Sequence, residues 1–359
     1  MKKRIFALVI LVLVAGLAVA GVEILRPYRG YAGQAIVDIP PGTQAPEIAA
    51  RLAEKGVIAH RWPFLLIYGA GRWRYHVKAG EYLFDRPLRP LDVYRKLVRG
   101  EVYFRTVVIP EGSNRFDIAR ILQRSLGIDP EDFLRVTEEA SPIHDLDPQA
   151  QTLEGYLFPD TYRFEFHPTT ARIALTMLAR FRAVLRQTFQ KDLNQSHENL
   201  HRALTLASLI EKETPDPHER PIIAQVFGLR LQKGMLLQCD PSVAYAAEMA
   251  HLPPAPITET DLNLKSPYNT YVHAGLPPGP ICNPGTASVL AALHPASTNY
   301  LYFVSNTRGG HQFARTLAEH QRNVALYRKQ AAALRHIEPE DPRTSRQRTH
   351  TSKAKKRQR

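Results

Sequence analysis

After Met1-Lys2-Lys3-Arg4 the chain runs from Ile5 to Val22 without a charge or a proline. Eighteen apolar residues wound as a helix just reach across a hydrocarbon core. The basic cluster before the run belongs on the cytoplasmic side, so everything after Val22 is expected outside the membrane. A cleaved signal peptide is the competing reading, since Ala18-Val19-Ala20 before Gly21 has the look of a cleavage site. The run exceeds the usual signal-peptide core, which favours an uncleaved anchor over residues 1–24. Either way the body of the chain meets an oxidising space. There Cys239 and Cys282 could form a disulfide or remain two small buried thiols, and the sequence leaves both open.

Beyond the apolar run, 44% hydrophobic and 23% charged residues over 359 positions are ordinary for a chain that buries a core. The net charge of +13 is unevenly spread. Residues 338–359 read as a basic disordered tail, with eight Lys and Arg from Arg343 onward and no acid. Such a tail is solvated by default, and adhesion to an anionic lipid or wall polymer is the sharper alternative. Nothing resembles a nucleic-acid-binding module, so no nucleic-acid partner is expected. No CxxC pair or HExxH occurs and the fourteen histidines are scattered, so neither a metal nor a cofactor is expected.

The periodicities give an α+β reading. Residues 34–105 form a small α/β unit: a strand at Ala35–Ile39, a Pro40-Pro41-Gly42 turn, and a helix capped by Thr43 that buries Ile48, Ala49 and Leu52. A helix with Phe64, Leu65 and Tyr68 follows, then a strand in KAGEYLF, a helix ending at Gly100, and a strand in VYFRTVVIPEG. Residues 106–335 form a larger mixed unit. Helices are expected in NRFDIARILQRSL, TTARIALTMLARFRAVL, ENLHRALTLASLIEKET and ERPIIAQVFGLRLQKG, the last stopped by Gly234. EGYLFPDTYRF reads as extended, NYLYFVSN as a buried strand, and Ala314 to about Leu334 as helix. Pro-, Gly- and Asn-rich loops after Gly234 are the kind that carry function.

Within LASLIEKET, Glu211 shares a helical face with Leu204, Ala207 and Ser208, and Glu213 with Leu206, Leu209 and Ile210. Both therefore lean toward apolar surroundings, which raise the pKa of a carboxyl by disfavouring its charged form and can ready it as a general acid. The plainer alternative pairs each with an arginine such as Arg220 or Arg230. Periodicity does not choose between the two glutamates.

LASLIEKET, ERPIIAQVFGLRLQKGMLLQCDPSVAYA, LKSPYNTYVHAGLPPGPICNPGTASVLAALHPASTNYLYFVSN and GGHQFARTLAEHQRNV, with IPEG at Ile109 and EGYLFPDTY at Glu154, resemble the YceG-like family of endolytic murein transglycosylases. The likeness covers nearly the whole chain except the basic tail. It implies a single-pass protein of the cell inner membrane, with a LysM-like domain at 34–105 and a YceG-like catalytic domain at 106–335 on the periplasmic side. It implies lyase activity on peptidoglycan glycan strands, with peptidoglycan synthases (penicillin-binding proteins) as partners. The first glutamate of the E-K-E-T motif, Glu211, is implied as general acid and then base, leaving Glu213 an orienting or substrate-binding role. Around it Gln238, Asp240, Tyr268, Asn269, Tyr271 and His311 are the candidates for substrate contacts, since aromatic rings stack on sugars and amides bond N-acetyl groups. Cys239 departs from the family, which has a small hydroxyl residue before Asp-Pro. A muramidase that uses water and a non-enzymatic wall-binding scaffold are the competing functions.

Overall fold

The computed structural model describes residues 2–71, 73–165, 168–196, 199–252 and 256–337, and the basic tail expected at 338–359 lies outside the described residues. Among them the chain is mixed α and β, with three two-stranded antiparallel sheets. It divides into two compact units, one of residues 1–108, 121–129 and 161–173 and the other of the remainder.

The first unit begins with α1 (Lys2–Leu25), which from Arg4 to Leu25 is long and apolar enough to cross a membrane. Next come β1 (Ala35–Ile39), α2 (Ala45–Glu54), α3 (Arg61–Gly71), β2 (Gly80–Phe84), α4 (Pro90–Arg99) and β3 (Arg105–Val108). β1 pairs with β2, Ala35 opposite Phe84 and Ile39 opposite Gly80. The period-two alternation of β1 turns Ala35, Val37 and Ile39 inward, where they meet Ile48 and Leu52 of α2, Phe64 of α3 and Leu97 of α4. α4 stops at Gly100, whose φ of 69° is the left-handed conformation that ends helices. Thr43 does not cap α2. Its Oγ1 donates to Pro40 O at 2.7 Å and closes the preceding turn, and the cap position falls to Gln44 without a side-chain bond. β3 pairs with β4 (Thr161–Phe164).

The second unit holds the start of α5 (Arg115–Leu126), then α6 (Pro130–Glu138), most of α7 (Thr170–Val184), α8 (Gln190–Ser196), α9 (Leu200–Glu213), α10 (Arg220–Gln232), α11 (Asp240–Met249) and α12 (Thr286–Leu293). It ends with β5 (Tyr302–Ser305), β6 (His311–Ala314) and α13 (Leu317–Ile337). α9 is its axis. Every residue from Ala203 to Ile210 is buried, so the helix is enclosed on all sides by its neighbours, α12 and α10 foremost. Asn199 caps its start by accepting from Arg202 N at 2.9 Å. Its end is set by extended Thr214 ahead of Pro215, a residue type that keeps its predecessor out of the helical region.

The second unit also differs from expectation. α11 was not anticipated; it starts at Asp240-Pro241, which supplies the first helical turn, where proline's missing N–H costs nothing. α6, α8 and α12 were not anticipated. The expected buried strand in NYLYFVSN is β5, only half-buried and one arm of a hairpin with β6 that takes in Ala314.

Candidate active site

The last turn of α9 carries both glutamates into the second unit. A residue and its second neighbour leave an α-helix about 200° apart, and their surroundings differ accordingly.

Glu211 enters a closed nest. Its Oε1 accepts from Arg220 Nη2 at 3.0 Å, and its Oε2 from Gly285 N at 2.9 Å. Both charged side chains are nearly enclosed, with 5% of Glu211 and 9% of Arg220 exposed. Gly285 caps α12, whose N-terminal dipole adds to the welcome for a negative charge. Three loops close round this point. Gly112 N donates to Asn283 O and Asn283 N returns a bond to Ser113 O, each at 3.0 Å. Asn283 also donates to Glu154 at 3.0 Å and accepts from Leu157 N at 2.8 Å. The segments around Ile109, Glu154 and Cys282 thus meet at one knot. Glu111 lies in it too, and was not singled out by sequence reasoning beyond its place in Ile109-Pro110-Glu111-Gly112. A Cβ on Gly285 would fall 2.0 Å from Glu111 Oε1, so a side chain there would have to push the Glu111 carboxyl aside. Burial and the neighbouring Glu211 carboxylate raise the Glu111 carboxyl above its ordinary value, against Arg220.

Glu213 faces a different space, a cleft of about 350 Å³. Gln238, Asp240, Tyr271 and His311 line the same cleft, and Arg230 and His320 complete its polar wall. Burial raises the Glu213 carboxyl above its ordinary value; a hydrogen bond from the Cys239 thiol pulls the other way, and the charge of Asp240 adds to the rise. Tyr271 donates its hydroxyl to Asp240 Oδ1 at 2.5 Å. Gln238 sits at φ 52°, a left-handed conformation that a non-glycine side chain adopts at a cost. Arg230 is anchored from below by the carbonyls of Leu301 (2.7 Å) and Leu237 (2.9 Å) and lies over the Tyr302 ring. His311 is fixed by Glu219, which accepts from its Nδ1 at 2.6 Å and its backbone N at 2.7 Å. Although burial alone would raise it, those bonds hold the Glu219 carboxyl below its usual range.

Among the site residues expected from sequence, Glu213, Gln238, Asp240, Tyr271 and His311 are therefore brought together. Glu211 does not line this cleft. Nor do Tyr268 and Asn269. Tyr268 is packed against Tyr245 with ring centroids 5.2 Å apart. Asn269 is fully buried; its amide donates to the carbonyls of Leu262 and Leu264, and its Oδ1 accepts from Tyr271 N at 2.9 Å. It shapes the loop that presents Tyr271. Arg230, on α10, enters the sequence reading only as a partner for a glutamate, and His320, on α13, does not enter it, because which residues of those helices meet the cleft depends on the pairing of β5 with β6. Cys239 and Cys282 are free, buried thiols, Cys282 donating to Ser208 O at 3.3 Å. Among the described residues no group of His, Cys, Asp and Glu could hold a metal ion.

Residues 37–326 match the YceG-like family. The chain is similar to the endolytic murein transglycosylase of Bacillus subtilis, 31% identical over 339 residues that cover 88% of this chain and 91% of the relative. It is 29% identical over 319 residues to the protein of the same name from Streptococcus pneumoniae, covering 80% of this chain and 57% of that one. The crystal structure of a YceG-like protein from Listeria monocytogenes is similar at a TM-score of 0.56 and 32% identity, over 80% of this chain and 98% of that chain.

Proposed function

The chain belongs to the YceG-like family, and from that premise we propose that it is a peptidoglycan lytic transglycosylase whose acid–base carboxyl is Glu213. The supporting observation is that this half-buried carboxyl, its proton held more tightly than usual, lines a cleft with Gln238, Asp240, Tyr271 and His311. The resemblance alone points to Glu211, but that carboxylate is engaged by Arg220 and Gly285. Its proposed part is to tie the end of α9 to the loops around it.

The substrate alternates N-acetylglucosamine and N-acetylmuramic acid. Cleaving the bond after muramic acid needs a proton on the departing oxygen, because an alkoxide leaves poorly. Glu213 donates that proton while the C1–O bond breaks. The muramic acid's own C6 hydroxyl then adds to C1, and its proton passes to the Glu213 carboxylate. The ring closes as a 1,6-anhydro end, no water is consumed, and the acid is regenerated. Holding the nucleophile within the same sugar supplies the proximity that a second protein group would otherwise provide. Asp240, close enough for its charge to act on Glu213, stabilises positive charge at C1.

Asp240 also favours a second reading. Two carboxyls in one cleft are the equipment of a hydrolase, with Asp240 activating water. Mass spectrometry of sacculi digested by the purified protein separates the two. Ends one water lighter than reducing ends support the lyase, and reducing ends support a muramidase. A protein that binds sacculi but releases nothing would be a scaffold.

α1 anchors the protein in the inner membrane as a single pass, with the rest extracytoplasmic and residues 34–105 a LysM-like wall-binding domain. A tether keeps the cleft at short reach from strands emerging at the bilayer. Cleavage there ends strand growth, and the synthases that extend those strands are the expected partners.

A further inference from the structure

In the first unit a groove of about 700 Å³ runs between α1, α3 and α4. Ile24 of α1 supplies one wall, Leu66 and Ala70 of α3 another, and Leu91 and Val98 of α4 a third. The lining residues Leu66 and Tyr75 are 54% and 48% exposed, and the same stretch of chain exposes Trp62 (39%, on the helix of Leu66) and Trp73 (85%). Contiguous exposed apolar surface of this kind marks a binding face.

Two observations identify what covers it. First, the wall residue Ile24 lies one position before the end of the apolar span Arg4–Leu25, so the groove opens where the span leaves the hydrocarbon. Second, the residue types are those of a bilayer interface. Tryptophan and tyrosine settle at headgroup level, where a ring can bury its body and keep its polar edge wet. Arg95 and Arg99 line the groove, and Arg61 and Arg74 are exposed beside the tryptophans. Guanidinium groups bind phosphate as planar forks.

We propose that this face lies in the headgroup layer of the bilayer that α1 crosses, with the groove holding a phospholipid. Its acyl chain follows the apolar trough and its phosphate meets Arg95 and Arg99. The first unit is then held as a collar on the membrane, in one orientation, rather than swinging freely at the end of α1. This inference rests on the reading of α1 as an anchor.

The chain contains two tryptophans, Trp62 on α3 with the lining residue Leu66, and Trp73 two residues before the lining residue Tyr75. In full-length protein carrying Trp62→Phe, reconstituted in phosphatidylglycerol-containing vesicles, Trp73 reports alone. With phosphatidylcholine brominated near the top of its acyl chains, Trp73 is expected to lose at least half its emission and to resist aqueous iodide. Adding Arg95→Glu and Arg99→Glu should restore most of that emission. If Trp73 is open to iodide and untouched by bromolipid while α1 withstands alkaline extraction, the collar is wrong and the anchor stands. If the protein is extracted, the anchor reading fails and this proposal with it. Quenching that ignores the two charge reversals would overturn the lipid-phosphate contact.

Discussion

Glu211 and Glu213 leave the same turn of α9 and end in different worlds. The first is bound at 3.0 Å by Arg220 and at 2.9 Å by Gly285 N; the second opens on the cleft that Asp240, Tyr271 and His311 share. A motif with two carboxyls two residues apart thus has two surroundings, one closing the knot of loops and one facing the cleft.

The knot makes Arg220 a stability residue. Arg220→Ala leaves the Glu211 carboxylate buried without its counter-charge, a loss on the order of 3–5 kcal/mol. At about 2.1 cal/mol/K of unfolding entropy per residue, in a chain of 359 residues that lowers the thermal midpoint by about 4–7 °C. A calorimetric midpoint equal to wild type would mean that the ion pair contributes nothing.

If Glu213 is the acid, as proposed, the Cys239 thiol tunes it. Its hydrogen bond favours the charged form of Glu213, so Cys239→Ala raises that carboxyl further. Catalysis needs the protonated acid and declines as pH rises through its pKa. The alkaline limb of the pH–rate profile is therefore expected to move to higher pH in Cys239→Ala. Movement to lower pH would contradict the contact's assigned direction.

Glu154 gives stability a pH dependence. It is fully enclosed, and burial pushes its carboxyl from 4.5 up to about 7 despite the opposing charge of Arg115. A raised folded-state value means that the native protein holds the proton more tightly than the unfolded chain. The stabilisation is therefore complete below pH 4.5 and fades as pH rises through 7. Glu154→Gln should flatten the midpoint-against-pH curve in that window; an unchanged slope would assign the dependence elsewhere.

How much of this was legible beforehand varied with the range of the cause. Local rules sufficed for β1, whose alternation marks Ala35, Val37 and Ile39, and for α4, which Gly100 ends. The apolar run in α9 showed that its glutamates sit deep, and helical geometry showed that they diverge. Which of them meets a cleft depends on partners distant in sequence: Gly285 and Arg220 on one side, the β5–β6 hairpin and the start of α11 on the other. No periodicity carries that information. Asn269 looked like an amide for sugar, but its hydrogen bonds are taken by Leu262, Leu264 and Tyr271. Glu111 was hidden for the opposite reason, since a lone acid in a Pro-Glu-Gly turn reads as solvated until Gly285 closes over it.

The central claim is that Glu213 supplies the proton. Its most direct test compares Glu213→Gln with Glu211→Gln in digestion of purified sacculi, scoring anhydro-ended products by mass alongside each variant's thermal midpoint. The expected result is an intact fold with turnover reduced by roughly 10²–10⁴ in Glu213→Gln, and a destabilised but still cleaving Glu211→Gln. Undiminished cleavage by Glu213→Gln, with a folded but inactive Glu211→Gln, would contradict it.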